Sequence, residues 1–187
     1  MKKTVWISGS PHRNGNSAKM AQQLCRALDA EVRRFDMYTE NIRPCVDCGH
    51  CTDAPGCCMA DGAGELLRAI GDADCIVLSA PVYFSDLPGP VISAASRLQY
   101  LWMRRRAGEE VLPAKERIGV ILLSGGGTGK PDRALANARC YLHMLGARIV
   151  GEITSLHTDT LPPSEDADAC PAIAETAVEI RQIWEEI

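Results

Sequence analysis

The chain has 187 residues, of which 46% are hydrophobic and 24% are charged, and its formal net charge is -4. This length and composition predict one globular domain over residues 1–187, and the acidic balance argues against a nucleic-acid-binding protein. No run of 18 consecutive apolar residues predicts a membrane span, and the first residues form a strand pattern instead of a secretion signal. We therefore expect a cytoplasmic protein without a membrane partner, whose nine cysteines are reduced thiols or metal ligands.

In chain order, five apolar stretches alternate with amphipathic helical patterns. The stretches predict strands at residues 5–8, 31–36, 75–79, 118–123 and 147–153. The helical patterns include one continuous helix over residues 90–104, ending in a solvated turn of three arginines, and a closing helix with an apolar stripe at Ile173, Ala177, Ile180, Trp184 and Ile187. The alternation predicts an α/β fold: a flavodoxin-like, doubly wound, five-stranded parallel sheet of order 2-1-3-4-5 in three α/β/α layers. Its ligand site is expected at the carboxyl ends of strands 1 and 3.

The loop after the first strand, from Ser8 to Ser17, is rich in Gly, Ser and Asn and leads into a helix. The first N–H groups of a helix have no intrahelical partners and the helix dipole favours an anion, so this loop predicts a phosphate site. Asn16 or Ser17 is the expected N-cap. The hydroxyls of Ser8, Ser10 and Ser17 add donors, and Arg13 supplies the nearby full charge. An ordinary strand-to-helix turn uses the same residue types and is the alternative.

Two more loops follow strands that end at the same edge of the predicted sheet. One runs from Pro81 to Asp86 with the aromatic pair Tyr83 and Phe84, and the other is the glycine-rich strip from Gly125 to Gly129. A phosphate site, an aromatic pair and close backbone approach at glycines favour a flat aromatic ligand with a phosphate tail, and FMN is the first candidate. Burial of the two aromatic residues in the core is the alternative. The glycine-rich strip lacks the spacing of a nucleotide-triphosphate P-loop.

These motifs resemble the NADPH-dependent FMN reductases and iron–sulfur flavoproteins of the flavodoxin-like group, from strand 1 through the loop after strand 4. The segment GSPHRNGNS is similar to the FMN-phosphate loop of that family, and PVYF is similar to its loop beside the isoalloxazine ring. The resemblance implies phosphate contacts from Ser10, His12, Arg13, Asn16 and Ser17, ring contacts from Pro81, Val82, Tyr83 and Phe84, and a border on the far side of the ring from Ser124, Gly125, Gly126 and Gly127. The chain departs from the family at Ile92 and at Ser96-Arg97, where relatives often carry Lys and Asp-Arg. This weakens any transfer of substrate or subunit contacts from that helix.

A cysteine-rich insertion at about residues 43–60 is the second informative feature. Cys45, Cys48, Cys51 and Cys57 follow a C-x2-C-x2-C-x5-C spacing, with Cys58 beside the last of them. Three thiolates at the first spacing suit one face of a [4Fe–4S] cubane. The segment is also similar to the compact cluster motif of the iron–sulfur flavoproteins, in which Cys57 matches the fourth ligand. A zinc site and reduced cysteines without metal are the open alternatives. The scattered cysteines are predicted to be mostly buried small hydrophobic residues: Cys25, Cys75, Cys140 and Cys170.

The residues and the resemblance together predict an FMN-dependent NAD(P)H oxidoreductase, with NADH or NADPH as electron donor. Its acceptor would be a small molecule such as a free flavin, a quinone or a nitro compound, or a ferredoxin-like protein if the cysteines hold a cluster. A non-enzymatic flavodoxin-like electron carrier is the alternative. The resemblance also implies a homodimer or homotetramer, and one predicted helix offers apolar residues for the contact: Leu98, Tyr100, Leu101 and Trp102.

Overall fold

A computed structural model describes residues 1–127 and 129–186 of the chain. Thr128 of the glycine-rich strip and Ile187 of the predicted apolar stripe lie outside the described residues. The strands are β1 Lys3–Ser8, β2 Glu31–Asp36, β3 Cys75–Pro81, β4 Arg117–Gly125 and β5 Ala147–Leu156. Neighbouring strands pair in parallel in the order β2-β1-β3-β4-β5, so the predicted flavodoxin-like sheet is confirmed.

The helices are α1 Asn16–Leu28, α2 His50–Asp53, α3 Ala63–Asp72, α4 Gly89–Ser96, α5 Gln99–Arg106, α6 Asp132–Met144 and α7 Ala169–Glu186. The buried side chains form two clusters, one between the sheet and α1 and α7, the other between the sheet and α3 to α6. β3 and β4 are apolar and buried along almost their whole length, because helices cover both faces of these central strands. None of the helices in the described residues is long and apolar enough to cross a membrane.

The single helix predicted over residues 90–104 is wrong, because α4 and α5 are separated at Arg97 and Leu98. The backbone N–H groups of these two residues donate to carbonyls three residues earlier, which tightens the chain into a turn. This turn directs Arg97 inward, where it is only 5% exposed. Arg104 is equally buried and forms an ion pair with Glu109, so the predicted solvated turn of three arginines is also wrong at its first member.

The last two strands are longer than their apolar patterns predict. β4 extends to Gly125 and β5 to Leu156, and these two residues are still paired. On the other side of β4, the N–H of Val82 donates to the carbonyl of Ser124 at 2.7 Å. Ser124 and Gly125 are therefore strand residues at the carboxyl edge of the sheet, and the loop begins at Gly126.

Candidate functional site

The loops after β1, β3 and β4 leave the same edge of the sheet, and backbone hydrogen bonds join their bases. The N–H of Gly9 donates to the carbonyl of Ser79 at 2.7 Å, and Val82 bonds to Ser124 as described above. A Cβ on Gly9 would lie 2.6 Å from Cγ2 of Val91, so only glycine lets the first loop approach β3 and α4 this closely. The fold therefore brings together the three loops that the sequence singled out.

The start of α1 is the part of the first loop for which the sequence predicts an anion site. Its N-cap is Gly15 in an extended conformation, in place of the predicted Asn16 or Ser17, and no side chain of the described residues caps the helix. Ser17 is buried, and within the described chain its Oγ has no hydrogen-bond partner. Ser10 is also buried and its Oγ accepts from the N–H of His12 at 3.1 Å, while the His12 side chain is exposed. A bound phosphate would satisfy both the buried hydroxyl and the uncapped N–H groups.

Arg34 on β2 supports this loop from below, and sequence reasoning missed it because β2 reads as a charged edge strand. Its guanidinium lies 4.2 Å from the ring centroid of Trp6 and donates to the Oγ of Ser8 at 3.1 Å. It also donates to the carbonyl of Arg13 at 3.0 Å. Ser8 is thus fully buried, and the Arg13 side chain extends into solvent, 3.9 Å from the carboxylate of Asp36. Arg34 fixes the loop backbone that the phosphate prediction depends on.

The aromatic loop forms a tight turn between Tyr83 and Asp86. These residues exchange backbone hydrogen bonds of 2.9 and 3.0 Å, and Phe84 and Ser85 between them have positive φ values of 51° and 65°. Side chains other than those of Asn and Asp rarely adopt this left-handed conformation, so the turn is strained. Phe84 is fully exposed and Tyr83 is 42% exposed, so burial of the pair in the core is wrong. Asn137 of α6 donates to the Asp86 carboxylate at 2.8 Å and holds the turn in position.

The glycine-rich strip meets the loop between β5 and α7, which the sequence did not connect with the site. The N–H of Thr158 donates to the carbonyl of Gly125 at 3.0 Å. A Cβ on Gly126 would overlap the carboxylate of Asp159, so the missing side chain lets this acidic group lie against the strip. Gly127 has a φ of +68°, a conformation that glycine adopts without steric cost. The strip therefore presents backbone on one side and a carboxylate on the other.

The cysteine-rich segment forms a second cluster of chemically active side chains. All four predicted metal ligands, together with Cys58, line one cleft. Partial burial raises the pKa of Cys51, and negative charge on Cys45, Cys57 and Cys48 raises it further. The sulfurs of Cys48 and Cys58 lie 3.3 Å apart. Among residues 1–127 and 129–186, no three His, Cys, Asp or Glu side chains are grouped to hold a single metal ion.

Side chains of α4 and α5 hold the backbone of this segment. The hydrogen bonds run from Cys45 N–H to Ser96 Oγ (2.9 Å), from Gly56 N–H to the Tyr100 hydroxyl (3.1 Å), and from the Arg104 guanidinium to the carbonyls of Cys51 and Thr52 (3.4 and 3.5 Å). Sequence reasoning missed this face, because it assigned Tyr100 to a subunit contact and Arg104 to solvent. The recurrence of polar side chains at positions 96, 97, 100 and 104 is the signal that could have found it.

Arg97 makes the central contacts of this face. Its guanidinium donates to the Asp61 carboxylate at 2.6 Å, to the carbonyl of Arg43 at 3.1 Å and to the sulfur of Cys57 at 3.1 Å. Partial burial by itself would raise the pKa of Asp61, but the Arg97 hydrogen bond and those from the N–H groups of Ala63 and Arg43 hold it below its usual range. The buried ion pair therefore joins the two ends of the cysteine-rich segment.

The scattered cysteines behave largely as predicted. Cys75 is buried and Cys25 and Cys170 are half-buried, whereas Cys140 on α6 is exposed and the prediction is wrong there. Burial raises the pKa of Cys25 to about 12 and that of Cys75 further above its usual value. Thiols that stay protonated are poor nucleophiles and metal ligands, so Cys25 and Cys75 are not candidates for either role.

Most of the chain matches a known protein family. Residues 2–160 match the family described as NADPH-dependent FMN reductase. The chain belongs to this family. The match includes all three loops and the cysteine-rich segment, and the family relationship confirms that the protein is an oxidoreductase of the FMN-dependent NAD(P)H reductase type.

Relatives and solved structures that are similar to the chain cover almost its whole length. An iron–sulfur flavoprotein of Methanosarcina thermophila is 26% identical over 188 residues, covering 98% of this chain and 95% of the relative. An NADH:FMN oxidoreductase, solved in its apo form, has a TM-score of 0.64 at 20% identity and covers 98% of this chain and 90% of its own. An FMN-dependent NADH-azoreductase from Bacillus anthracis str. Ames Ancestor, solved with FMN, has a TM-score of 0.63 at 13% identity with 98% and 99% covered. At these identities the two structures establish the fold.

Proposed function

We propose that this family member is a single-domain, cytoplasmic FMN-dependent oxidoreductase that takes a hydride from NADH or NADPH and passes the electrons on. The acceptor is a small molecule, such as a free flavin, a quinone or a nitro compound, or a ferredoxin-like protein. The observation that carries the proposal is the buried Ser17 hydroxyl, which has no partner among the described residues and lies at the uncapped start of α1. When bound, FMN supplies hydride acceptance at its ring and electron release to the acceptor.

The loop after β1 would bind the phosphate of FMN. Ser10, Asn16 and Ser17 provide neutral donors at the first turn of α1, where the helix dipole also favours an anion. His12 and Arg13 lie at the exposed rim and add positive charge or further donors. Ser8 at the end of β1 adds a further hydroxyl, and the hydrogen bond that it accepts from Arg34 holds it in position.

The other two loops would hold the ring of FMN. Pro81 ends β3, Val82 is anchored on β4, and the exposed rings of Tyr83 and Phe84 stand beside them. The far border comes from Ser124, Gly125, Gly126 and Gly127. Backbone groups at glycines can approach the polar edge of a flat ring closely. These residues bind and orient the ring and exclude water from one of its sides.

Ser17→Ala is expected to change FMN binding and folding stability in different directions. Without FMN, the free energy of unfolding should stay constant or rise, because a buried hydroxyl without a partner among the described residues is removed. The Kd for FMN should rise roughly 10- to 100-fold, as expected for a lost hydrogen bond of about 1.5–3 kcal/mol to a charged group. Urea unfolding and flavin-fluorescence titration measure the two effects.

Thr4→Val is the matched control for this variant. The Thr4 hydroxyl is also buried without a partner in the described chain, but it lies near the opposite end of β1 from the loops. Its removal should affect stability in the same direction and leave the Kd for FMN unchanged. An unchanged FMN affinity in Ser17→Ala would contradict the assignment of this hydroxyl to the phosphate.

We further propose that the insertion at residues 43–60 holds a [4Fe–4S] cluster through Cys45, Cys48, Cys51 and Cys57. Five thiols line one cleft together with His50 and Asp47, and such a thiol-rich donor set fits an iron–sulfur cluster. The hydrogen bonds from α4 and α5 hold the segment in a defined shape. The resemblance to an iron–sulfur flavoprotein over 98% of the chain supports the same group. When bound, the cluster supplies one-electron transfer, which suits a ferredoxin-like acceptor.

Protein purified without air tests both parts of the proposal. We expect equimolar FMN, about four iron and four sulfide ions per chain, and bleaching of the flavin absorbance when NADPH or NADH is mixed in a stopped-flow instrument. Flavin that neither nucleotide reduces would contradict the reductase and favour an electron carrier. Yellow protein without iron would contradict the cluster alone, and colourless protein with stoichiometric zinc would contradict both.

We also propose that the chain forms a homodimer or homotetramer. Of the four apolar residues expected at the contact, Leu101 is buried and Leu98 and Tyr100 pack against the core, whereas Trp102 is 49% exposed. Trp102 of α5, Ile92 of α4 and Phe84 of the aromatic loop are large hydrophobic side chains exposed on the surface, which supports an association through such residues. Light scattering coupled to gel filtration should give a mass of two or four chains, and a single-chain mass would contradict it.

A further inference from the structure

The hydrogen bond between Arg97 and Cys57 has a consequence for electron transfer that depends on the proposed cluster. We propose that Arg97 is a positioning residue that raises the reduction potential of the [4Fe–4S] cluster by donating a charged hydrogen bond to the sulfur of its fourth ligand. The bond joins Nη2 of Arg97 to Sγ of Cys57 at 3.1 Å. Within the described residues, it is the one place where a buried cation of α4, α5 or the turn between them contacts a proposed ligand sulfur.

Arg97 is held so that this contact is maintained. Its side chain is 5% exposed, and the Asp61 carboxylate and the Arg43 carbonyl fix the other edge of the guanidinium. Asp61 is equally buried, with 6% of its side chain exposed. Because a guanidinium is planar and its donors are fixed in a fork, anchoring one edge sets the direction of the other. Nη2 is therefore aimed at Cys57 before any cluster binds.

The physical effect follows from where charge accumulates on reduction. An electron added to an iron–sulfur cluster increases the negative charge on its sulfurs, including the ligand sulfurs. A donor that points at one of those sulfurs stabilises the reduced state more than the oxidised state. Cys57 is exposed, but the guanidinium of Arg97 is buried, so its charge is screened less by water than that of a surface cation. Hydrogen bonds to cluster sulfurs are an established means of tuning the potential. The N–H of Asp47 donates a neutral one to the sulfur of Cys45 at 3.4 Å, and Arg97 donates a charged one to the sulfur of Cys57.

Arg104 provides a matched comparison. It has the same 5% exposure and also holds the cysteine-rich segment, but it donates to the carbonyl oxygens of Cys51 and Thr52 and pairs with Glu109. Loss of Arg104 removes a buried cation and two anchoring bonds without removing a hydrogen bond to a sulfur. If both arginines were purely structural, substituting either one should change the reduction potential of the cluster by a similar amount. The proposed role of Arg97 predicts that its substitution changes the potential more.

The test is an EPR-monitored redox titration of anaerobically purified Arg97→Gln, Arg104→Gln and the original chain, with iron and sulfide content measured on each sample. A second variant, Arg97→Gln with Asp61→Asn, removes both members of the ion pair, so that no buried carboxylate is left without its partner. At a fixed potential, both Arg97 variants should show an approximately tenfold lower ratio of reduced to oxidised cluster. For a one-electron couple this corresponds to a reduction potential that is lower by about 59 mV. Arg104→Gln should shift the ratio by less than twofold.

Each outcome decides one of the proposals. Equal changes of the reduction potential in the Arg97 and Arg104 variants, or an unchanged potential in the Arg97 variants, would overturn the role of Arg97. Neither result would contradict the cluster. Loss of iron from both Arg97 variants would also overturn this role, since Arg97 would then be required for assembly instead of for the potential. Absence of iron and sulfide from the original chain would instead refute the proposed cluster itself.

Discussion

Asn16→Asp is expected to abolish tight FMN binding while the fold stays as stable as before. Asn16 is the first residue of α1 and follows the Gly15 N-cap, so it belongs to the helix turn at the proposed phosphate site. The substitution is nearly isosteric but places a negative charge beside the phosphate. Two unit charges 4 Å apart repel by about 4 kcal/mol at an effective dielectric constant of 20, and partial solvation reduces this. We expect the Kd for FMN to rise roughly 30- to 1,000-fold.

The same charge favours the helix, which separates binding from folding in this experiment. A carboxylate in the first turn interacts with the helix dipole by about 0.3–1 kcal/mol in the stabilising direction. Thermal unfolding of the FMN-free variant should therefore occur at the original temperature or slightly above it. Riboflavin lacks the phosphate and serves as the ligand control, so its affinity should not change. Equal weakening for FMN and riboflavin would show that the ring and not the phosphate lies near Asn16.

Cys57→Ser is expected to eliminate the cluster, whereas Cys58→Ser should retain it. A serine hydroxyl is a much weaker iron ligand than a thiolate because it stays protonated at neutral pH, so iron should fall from about four per chain to a small fraction of that number. Cys58 is adjacent in sequence, and its sulfur lies 3.3 Å from that of Cys48, so it controls for nearby thiol loss. Iron and sulfide analysis, with the EPR signal of the reduced cluster, measures the result.

The two serine variants also decide which of the adjacent cysteines is the fourth ligand. Retention of iron in Cys57→Ser together with its loss in Cys58→Ser would exchange the two assignments. Full retention in both would contradict a four-cysteine site that includes either residue. FMN content and NADPH-dependent flavin bleaching should be unchanged in both, because the proposed flavin loops are formed by other residues, and this readout confirms that the variants are folded.

The local chemistry of the site could be predicted because it depends on residues that are close together in the sequence. A buried strand followed by a Gly-, Ser- and Asn-rich loop and a helix is specified within Val5 to Leu28, and its anion-binding geometry follows from unpaired N–H groups. The C-x2-C-x2-C spacing likewise specifies a compact thiolate group without reference to the rest of the chain. The alternation of strands and helices was sufficient to predict a parallel sheet, and parallel strands bring their carboxyl ends to one edge.

Contacts across the fold could not be predicted in this way. From the sequence, Arg97 and Arg104 have the pattern of polar residues on a surface helix. They are buried because the helix breaks between α4 and α5 and the cysteine-rich segment packs over them. From the sequence, Arg34 has the pattern of a residue in a charged edge strand. In the structure it lies against Trp6 and donates hydrogen bonds to Ser8 and Arg13 of the first loop. Asp159 lies far along the chain from Gly126, and its approach depends on the pairing of β4 with β5.

The sequence by itself determined the parallel sheet, the three loops at its edge and the set of clustered cysteines, because each depends on periodicity or spacing within a few tens of residues. The tertiary structure alone decided which buried side chains support those loops and which cation contacts the sulfur of Cys57. Such choices depend on contacts between residues distant in the chain, whose burial turns a charge that is weak in water into a strong and directed interaction.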